Sequence, residues 1–277
     1  MTILITGATG AIGASLVRRL STAGHAVRAG SRNPEQAGLR DVEVVKLDLT
    51  APDTFYDALK DVERIFLYAE PAAIGQFTES AERAGVRHIV LLSSDSVELT
   101  DAASNALAQH HALVEKSLVG TGFGTTVLRP GTFASMTLGW SRFIRSGTPV
   151  QQAFWDARPD IIHPEDIADV AERALVTNEL DGSIIPLGGP ELLTFREQLS
   201  VLGHLLGREL EYREPSREQA AAQLADHAPA PLIDAILDYW AHLPFDGKKA
   251  TRSAERITGR PARTYRQWAT EHLDSFR

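Results

Sequence analysis

The sequence contains no cysteine, which excludes disulfide bonds, catalysis by a thiolate and metal sites built from cysteine ligands. It also contains no apolar run of about 18 residues, the length that a membrane-spanning helix needs. No basic segment or cleavage site precedes the first predicted strand, which begins at Thr2. Together these absences favour a cytoplasmic protein that does not associate with a membrane.

Basic residues are in the minority, since 28 Lys and Arg are outnumbered by 36 Asp and Glu and the formal net charge is −8. Nucleic acids select basic protein surfaces, so this balance argues against a nucleic-acid partner. The 277 residues are enough for one large domain with an appended lobe, and they can bury a substantial core. The composition is that of an ordinary globular protein.

The stretch ITGATGAIG, residues 5–13, follows an apolar strand and precedes an amphipathic helix. Glycines at this spacing allow a tight strand-to-helix reversal and a close approach of the backbone to a pyrophosphate at the helix N-terminus. A glycine-rich turn without a ligand would leave the spacing of the three glycines unexplained. The motif therefore predicts a dinucleotide site formed by Gly7, Thr9, Gly10, Ala11, Ile12 and Gly13.

The second predicted strand, residues 25–31, leads to Ser31 and Arg32, about 20 residues beyond the glycine turn. An acid at this point binds the 2′-hydroxyl of NAD, whereas a cation accommodates the 2′-phosphate of NADP. Arg28 lies nearby and the first acid is Glu35, so the sequence favours NADP(H) over NAD(H). The alternative is that Arg32 is only a solvated loop charge.

Three further strands are predicted to end at the same crevice, because the strand ends of a doubly wound sheet line the cofactor site. VEVVKLDL is predicted to end at Asp48, which either contacts the cofactor or caps the next helix, although Thr50 is the stronger cap. RIFLYAEP would carry Tyr68 to Pro71 to the nicotinamide half, and HIVLLSSDS would carry its serines there. The predicted contacts are Asp48, Leu49, Tyr68, Ala69 and Ser93.

Strands and helices alternate through residue 129, which predicts an α/β fold with a Rossmann-type doubly wound parallel sheet and a small C-terminal substrate lobe. We predict a cofactor domain of residues 1–130 and 164–188, and a lid and substrate lobe of residues 131–163 and 189–277. Residues 131–163 are predicted to be a long irregular connection rich in aromatic residues. The candidate substrate contacts, whose alternative role is packing between lobes, are Tyr68, Pro71, Phe133, Trp140, Phe143, Trp155 and Trp240.

The chain resembles the NmrA-like family of atypical short-chain dehydrogenases/reductases. The resemblance rests on ITGATGAIG, Arg32, LRPGTF, HPEDIADVAERAL and ITGRPARTYRQW. It implies an NAD(P)-binding Rossmann domain with a small substrate lobe. Family members include NADPH-dependent quinone, azo-dye and triphenylmethane-dye reductases, and also cofactor-sensing regulators without known catalysis, so the fold does not settle the function.

The chain departs from this pattern at the proton donor. Typical short-chain dehydrogenases use a Tyr and a Lys four residues later on the helix after the fifth strand, but here that helix, residues 104–119, contains no Tyr. The matching spacing is His111 with Glu115, as in a His-x-x-x-Glu variant of quinone-reductase-like members. The resemblance also places Ser94 near the serine that orients a substrate carbonyl, whereas its alternative role is to end the strand through a local backbone bond.

His111 and Glu115 stand at i and i+4, on one face of the predicted helix. A carboxylate there would raise the pKa of the imidazole and make His111 a general acid near neutral pH. The alternative is a surface ion pair that only stabilises the helix. His110 points about 100° away and is expected to be solvated, and no metal site is expected, since adjacent helical residues cannot face one ion.

The leading hypothesis is an NADPH-dependent oxidoreductase that passes hydride to a quinone or aromatic carbonyl compound, as a monomer or homodimer. A quinone needs little help from a proton donor, because its reduced oxygens are stable anions. Two alternatives remain open at this point. One is a non-catalytic NADP(H)-sensing regulator, and the other is an epimerase or cyclase that retains its bound cofactor.

Overall fold

The computed structural model describes residues 1–99, 101–225, 229–243 and 250–277. The chain divides into two compact units, here called unit 1 and unit 2. Residues 101–107, which the sequence analysis assigns to the cofactor domain, belong to unit 2. Unit 1 comprises Met1–Leu99, Ala108–Pro130 and Ile167–Pro186, and unit 2 comprises Thr100–Leu107, Gly131–Asp166 and Leu187–Arg277.

The described residues form strands and helices that alternate through most of the chain, joined by short 3-10 turns. The strands are β1 (Thr2–Ile5), β2 (Ala26–Ser31), β3 (Glu43–Lys46), β4 (Arg64–Tyr68), β5 (His88–Leu92), β6 (Gly124–Pro130), β7 (Thr132–Phe133), β8 (Val150–Gln151), β9 (Ile161–Ile162), β10 (Ile184–Leu187) and β11 (Tyr212–Arg213). The helices are α1 (Ala11–Thr22), α2 (Phe55–Leu59), α3 (Ile74–Arg83), α4 (Ala106–Ser117), α5 (Ser141–Ser146), α6 (Pro164–Val176), α7 (Phe195–Leu206), α8 (Arg217–Leu224), α9 (Ala230–Ala241), α10 (Ser253–Thr258) and α11 (Tyr265–Glu271).

The central sheet has seven strands in the order β10-β6-β5-β4-β1-β2-β3. The strands from β1 to β6 pair in parallel, as right-handed crossovers through helices require. The order reverses between β1 and β4, which is the position where a doubly wound sheet binds its ligand. The Rossmann-type fold predicted from the sequence is confirmed.

Unit 1 buries both faces of this sheet, so its central strands are almost continuously apolar. All five residues of β5 are buried. On one face, Phe55 of α2 packs edge-on against Phe77 of α3, with ring centroids 5.2 Å apart. Helix α1 buries Leu16 and Leu20, as its periodicity predicts.

Some boundaries in unit 1 differ from the predicted ones. Strand β3 ends at Lys46, so Asp48 lies in the following loop. Thr50 does not cap the next helix. The next element is a 3-10 helix, Pro52–Thr54, whose N-cap is Ala51. The Thr54 hydroxyl donates to the Ala51 carbonyl oxygen at 2.7 Å. The side chains that close this loop therefore lie later in the sequence than predicted.

Residues 131–163 are not the irregular connection that the sequence analysis predicts. They contain β7, a 3-10 helix (Ala134–Trp140), α5, β8 and β9. The elements are short, so they carry too little periodicity to be recognised in the sequence. A capping box at Thr194 begins α7, and α10 is a helix that the sequence analysis does not predict. No helix in the described ranges is long and apolar enough to cross a membrane.

Candidate cofactor and reaction site

The turn between β1 and α1 in unit 1 is built by its glycines. Gly7 has φ of +58°, which favours glycine, and its carbonyl oxygen accepts the Gly10 N–H at 2.9 Å. A Cβ on Gly13 would lie 2.2 Å from the same oxygen, so Gly13 lets the helix begin directly against the turn. Gly10 is the N-cap of α1 and no side chain caps it, which leaves the first N–H groups available to an anion.

Beside this turn lies a cavity of about 600 Å³ within unit 1, at the ends of β2, β3 and β4. The predicted contacts that line it are Gly7, Thr9, Ser31, Arg32, Asp48, Leu49, Tyr68 and Ala69. Lining residues that the sequence analysis does not predict as cofactor contacts are Thr6, Gly30, Asn33, Gln36, Ala37, Leu47, Thr50 and Glu70, which lie within a few positions of predicted ones in the sequence.

The other predicted contacts lie outside this lining. Gly10 and Ala11 are exposed at the start of α1. Ile12 is a core residue with 1% exposure, so a cofactor can contact at most its backbone. Gly13 serves the packing of the turn. The Pro71 carbonyl accepts the Ile74 N–H at the start of α3, at 3.4 Å.

Arg32 stands exposed at the rim of the cavity. Within the described part of the chain it forms no hydrogen bond or ion pair. Asp48 accepts from the Thr50 N–H at 2.9 Å and from the Thr50 hydroxyl at 2.7 Å. These bonds lower the pKa of Asp48, and the charge of Arg32 adds to the effect. Asp48 is therefore ionised and accepts its hydrogen bonds from Thr50 in its own loop. The donors of Arg32 remain available to a ligand.

Arg28 is not part of this rim. Its Nε donates to Glu43 at 2.8 Å, and its Nη1 donates to the Ala58 and Lys60 carbonyl oxygens. The side chain thus ties β2 to β3 and to the end of α2. The sequence shows a cation near Arg32 but not these partners, which lie 15 to 32 residues away.

Tyr68 joins the glycine turn to the end of β4. Its N–H donates to Thr6 Oγ1 at 2.8 Å, and its ring lies against Gly7, where a Cβ would be 2.7 Å from the ring. Phe66 meets the ring edge-on at 5.6 Å. Burial raises the pKa of Tyr68 to about 12, so the phenol stays protonated near neutral pH. The residue is therefore a hydrogen-bond donor beside the predicted cofactor path.

The end of β5 carries a polar network that replaces the predicted His111–Glu115 pair. Arg129 donates to both carboxylate oxygens of Glu115, from Nε at 3.0 Å and from Nη2 at 2.6 Å. The Ser93 hydroxyl donates to Glu115 at 2.5 Å, and Arg129 Nη1 contacts Glu98 at 3.1 Å. Glu115 is thus committed to holding α4 against β5 and β6, and Ser93 faces this network rather than an open cavity.

Ser94 has the local role that the sequence analysis gave as its alternative. Its Oγ accepts from the Ser96 N–H at 3.1 Å, and it begins the short 3-10 helix Asp95–Glu98. A hydroxyl used in this way can still donate its proton outward. Its acceptor capacity, however, is already engaged by the turn.

His111 is not the acid that the sequence analysis predicts. Burial, together with the charge of His110, lowers its pKa to about 4, and the opposing effect of Glu115 is the smallest of the three. The His111 Nδ1 is buried and has no hydrogen-bond partner among the described residues. The imidazole is therefore neutral at physiological pH, and the expectation that Glu115 raises its pKa above the ordinary value is wrong.

His110, which was expected to be solvated, is bound to the protein. Its Nε2 donates to the Ala69 carbonyl oxygen at 3.0 Å, and its ring meets His111 edge-on at 5.3 Å. This bond anchors α4 to the chain just after Tyr68. Adjacent positions on a helix do point in different directions, as expected. The sequence cannot show, however, that the end of β4 packs against the side of α4 that carries His110.

Unit 2 contains the other predicted substrate residues, and it brings only part of them together. Trp140, Phe143 and Trp240 line one cavity with Phe195, which the sequence analysis did not single out. Trp155 is 1% exposed and packs behind Trp140, with centroids 5.7 Å apart. Phe133 of β7 is not in this lining.

The described part of the chain contains no group of His, Asp or Glu placed to hold a metal ion.

Comparison with known proteins gives the chemistry of similar chains. The sequence profile of a family described as NAD(P)H-binding matches residues 7–178. The chain is 36% identical over 281 residues to the (4-alkanoyl-5-oxo-2,5-dihydrofuran-3-yl)methyl phosphate reductase of Streptomyces griseus subsp. griseus, covering 99% of each protein. It is 27% identical over 285 residues to the NAD(P)H azoreductase of Xenophilus azovorans, again with 99% of each covered.

Among solved structures, the NADPH-dependent quinone oxidoreductase of Escherichia coli is similar over the whole fold. The TM-score is 0.81 at 23% identity, with 98% of this chain and 99% of that chain covered. At this identity the similarity supports the fold alone.

Proposed function

The chain belongs to the NAD(P)H-binding family as an NmrA-like short-chain dehydrogenase/reductase of the atypical type and is an NAD(P)H-dependent oxidoreductase. On this premise we propose that it reduces a conjugated carbonyl compound, such as an acyl-substituted unsaturated lactone or a quinone. The resemblance stated from the sequence is confirmed. Relatives named as reductases favour catalysis over the regulator and epimerase alternatives.

We propose that the residues of unit 1 hold the dinucleotide with a preference for NADPH. The N–H groups of the first turn of α1, which no side chain caps, and the close packing of Gly13 fit a pyrophosphate at the start of α1. Arg32 fits a 2′-phosphate, because it is a cation with uncommitted donors at the end of β2. When bound, the nicotinamide supplies hydride, and the protein supplies orientation and exclusion of water.

The proposed substrate class rests on the observation that few side chains at the strand ends of unit 1 can donate a proton. Among the described residues there, His111 is neutral, Glu115 is paired with Arg129, and the Tyr68 phenol holds its proton up to about pH 12. Reduction of an ordinary ketone forms a strongly basic alkoxide that needs a positioned acid. A conjugated acceptor instead forms a delocalised anion, which takes its proton from water.

The reductase of Streptomyces griseus subsp. griseus suggests one such acceptor. The ring named for it, a 4-alkanoyl-5-oxo-2,5-dihydrofuran, carries a carbon–carbon double bond conjugated with two carbonyl groups. In the proposed reaction the hydride that a bound reduced nicotinamide would supply, with loss of its own C–H bond, forms a C–H bond at the ring carbon that bears the phosphorylated methyl group. The π electrons of the double bond move onto the neighbouring carbon and the two carbonyl oxygens, and water protonates that carbon. Tyr68 donates a hydrogen bond to the developing anion and keeps its proton.

Steady-state consumption of NADPH tests the proposal. We expect kcat/KM for an alkanoyl dihydrofuranone phosphate, or for a simple naphthoquinone, to exceed that for an aryl alkyl ketone by roughly 10²-fold. The saturated lactone, which lacks the double bond, serves as the matched control and should consume no NADPH. Preferred reduction of the aryl ketone would overturn the proposal. Binding of NADPH measured separately shows whether a silent preparation is folded.

A further inference from the structure

A second cavity lies wholly within unit 2, and its ligand is not fixed by the reductase chemistry. It has a volume of about 320 Å³. Phe195 meets Trp140 edge-on at 6.3 Å and Trp240 at 5.7 Å, so three large rings brace one another. Aliphatic side chains complete the apolar wall, and these are Met136, Leu138 and Leu224. A cavity of this kind excludes water from an apolar group of small-molecule size.

Two glutamine side chains give the cavity a polar side. Gln223 Nε2 donates to Gln151 Oε1 at 2.7 Å. This bond leaves Gln151 Nε2 as a donor without a partner in the described ranges. Both polar atoms of the third glutamine of the lining are already engaged, because Gln152 Oε1 accepts from Trp140 Nε1 and Gln152 Nε2 donates to the Ala153 carbonyl oxygen. The cavity thus presents a free amide donor from Gln151.

Arg142 adds a positive charge to the same lining. Its guanidinium lies over the Phe143 ring, 4.5 Å from the centroid, and its side chain is exposed. In the described part of unit 2 it forms no ion pair. Met136, which is 47% exposed, lies in the same lining and offers a flexible apolar edge. An apolar wall with one cation and one amide donor selects an amphiphile with an anionic end.

We propose that this cavity of unit 2 binds an aliphatic chain that ends in a carboxylate or phosphate. The chain lies against the aromatic wall, and the anionic group pairs with Arg142 and accepts from Gln151 Nε2. The braced rings favour a narrow chain over a wide ring system, and the flexible Met136 adapts to its length. The test of this site is independent of the proposed reaction, because ligand binding is measured without cofactor.

Quenching of tryptophan fluorescence by sodium alkanoates tests the proposal on the full chain. Trp140 and Trp240 line the cavity, so a chain in contact with them changes their emission. Between butyrate and decanoate we expect the affinity to rise up to about fourfold for each added methylene that becomes buried. Decyl phosphate should bind as decanoate does, and decanol more weakly. Equal affinity for butyrate and decanoate, or tighter binding of flat naphthoate than of decanoate, would overturn the assignment.

Matched variants separate the site from a general effect. Arg142→Gln should weaken decanoate binding about two- to fivefold and leave decanol unchanged, as expected for an exposed cation. Arg145→Gln is the control, since Arg145 is exposed on the same helix but outside the cavity lining. The double variant Trp140→Phe with Trp240→Phe should bind decanoate by calorimetry but lose the fluorescence change. Equal effects of the two arginine variants would contradict the proposed site.

Discussion

Arg129 binds Glu115 through two hydrogen bonds, from Nε to Oε1 at 3.0 Å and from Nη2 to Oε2 at 2.6 Å. Both side chains are more than four-fifths buried, so removal of either one would leave the charge of the other without compensation. The pair, with the Ser93 hydroxyl, joins α4 to the ends of β5 and β6. The carboxylate that the sequence offers as a partner for His111 is thereby used for structure.

We predict that Glu115→Ala lowers the free energy of unfolding by about 2–3 kcal/mol, because it leaves the Arg129 guanidinium partly buried without its carboxylate. Urea denaturation measures the loss. Glu79→Ala is the control, since Glu79 meets Arg83 at 3.8 Å on an exposed helix face, and such pairs contribute less than about 1 kcal/mol. Similar losses in the two variants would show that the Arg129 pair is not buried in solution.

Protonation of His111 should make stability fall in acid. Its pKa is lowered from an ordinary 6.5 to about 4, so the unfolded chain binds the proton more readily than the folded one between these values. This contribution is complete above about pH 6.5, declines as the pH falls toward 4, and changes no further below that. We expect His111→Gln to remove about 2–3 kcal/mol of the pH dependence. Urea denaturation of the wild type and the variant at about pH 7.5 and about pH 5 checks this. The same difference in midpoint between the two proteins at both pH values would contradict the prediction.

Gly10 and Gly13 should respond differently to the same substitution. Gly10 has an extended backbone, and its Cβ would lie 3.3 Å from the Gly7 carbonyl oxygen, so Gly10→Ala requires a shift of only a few tenths of an ångström and obstructs an anion at the helix N-terminus. A Cβ on Gly13 would meet that oxygen at 2.2 Å, and we expect Gly13→Ala to cost about 1–3 kcal/mol of stability. Thermal melts and NADPH titration of both variants check the contrast. Wild-type NADPH affinity in a folded Gly10→Ala protein would place the pyrophosphate elsewhere.

Arg32→Gln should remove most of the preference for NADPH over NADH. A charge-assisted contact with a phosphate contributes about 1.5–3 kcal/mol, so the NADPH affinity should fall roughly 10- to 150-fold while NADH changes little. Arg40→Gln is the control, because Arg40 is exposed in the same loop but does not line the cavity. Equal affinity of the wild-type protein for both cofactors would contradict the role of Arg32.

The sequence was informative wherever structure depends on neighbours along the chain. The glycine turn between β1 and α1 and the amphipathic helix that follows it are local patterns, and both appear in the structure where the sequence predicts them. The His110 bond to Ala69 joins residues 41 positions apart, so no local pattern contains it. The lowered pKa of His111 likewise follows from burial by the whole unit, which helical spacing cannot reveal.

Replacement of Tyr68 should separate the two kinds of substrate. Its phenol has a pKa of about 12, so it remains a donor across the working range and activity should not fall with deprotonation until the pH approaches that value. For an aryl ketone, Tyr68→Phe should lower kcat by roughly 10²-fold, because neither the neutral His111 nor the Arg129-bound Glu115 replaces it as an acid. For a conjugated acceptor the loss should stay within about fivefold, the scale of one hydrogen bond. Tyr56→Phe, at an exposed tyrosine on α2, is the control. Equal losses with both substrates would mean that the proton comes from Tyr68 in every case, and the argument for a conjugated acceptor would then fail.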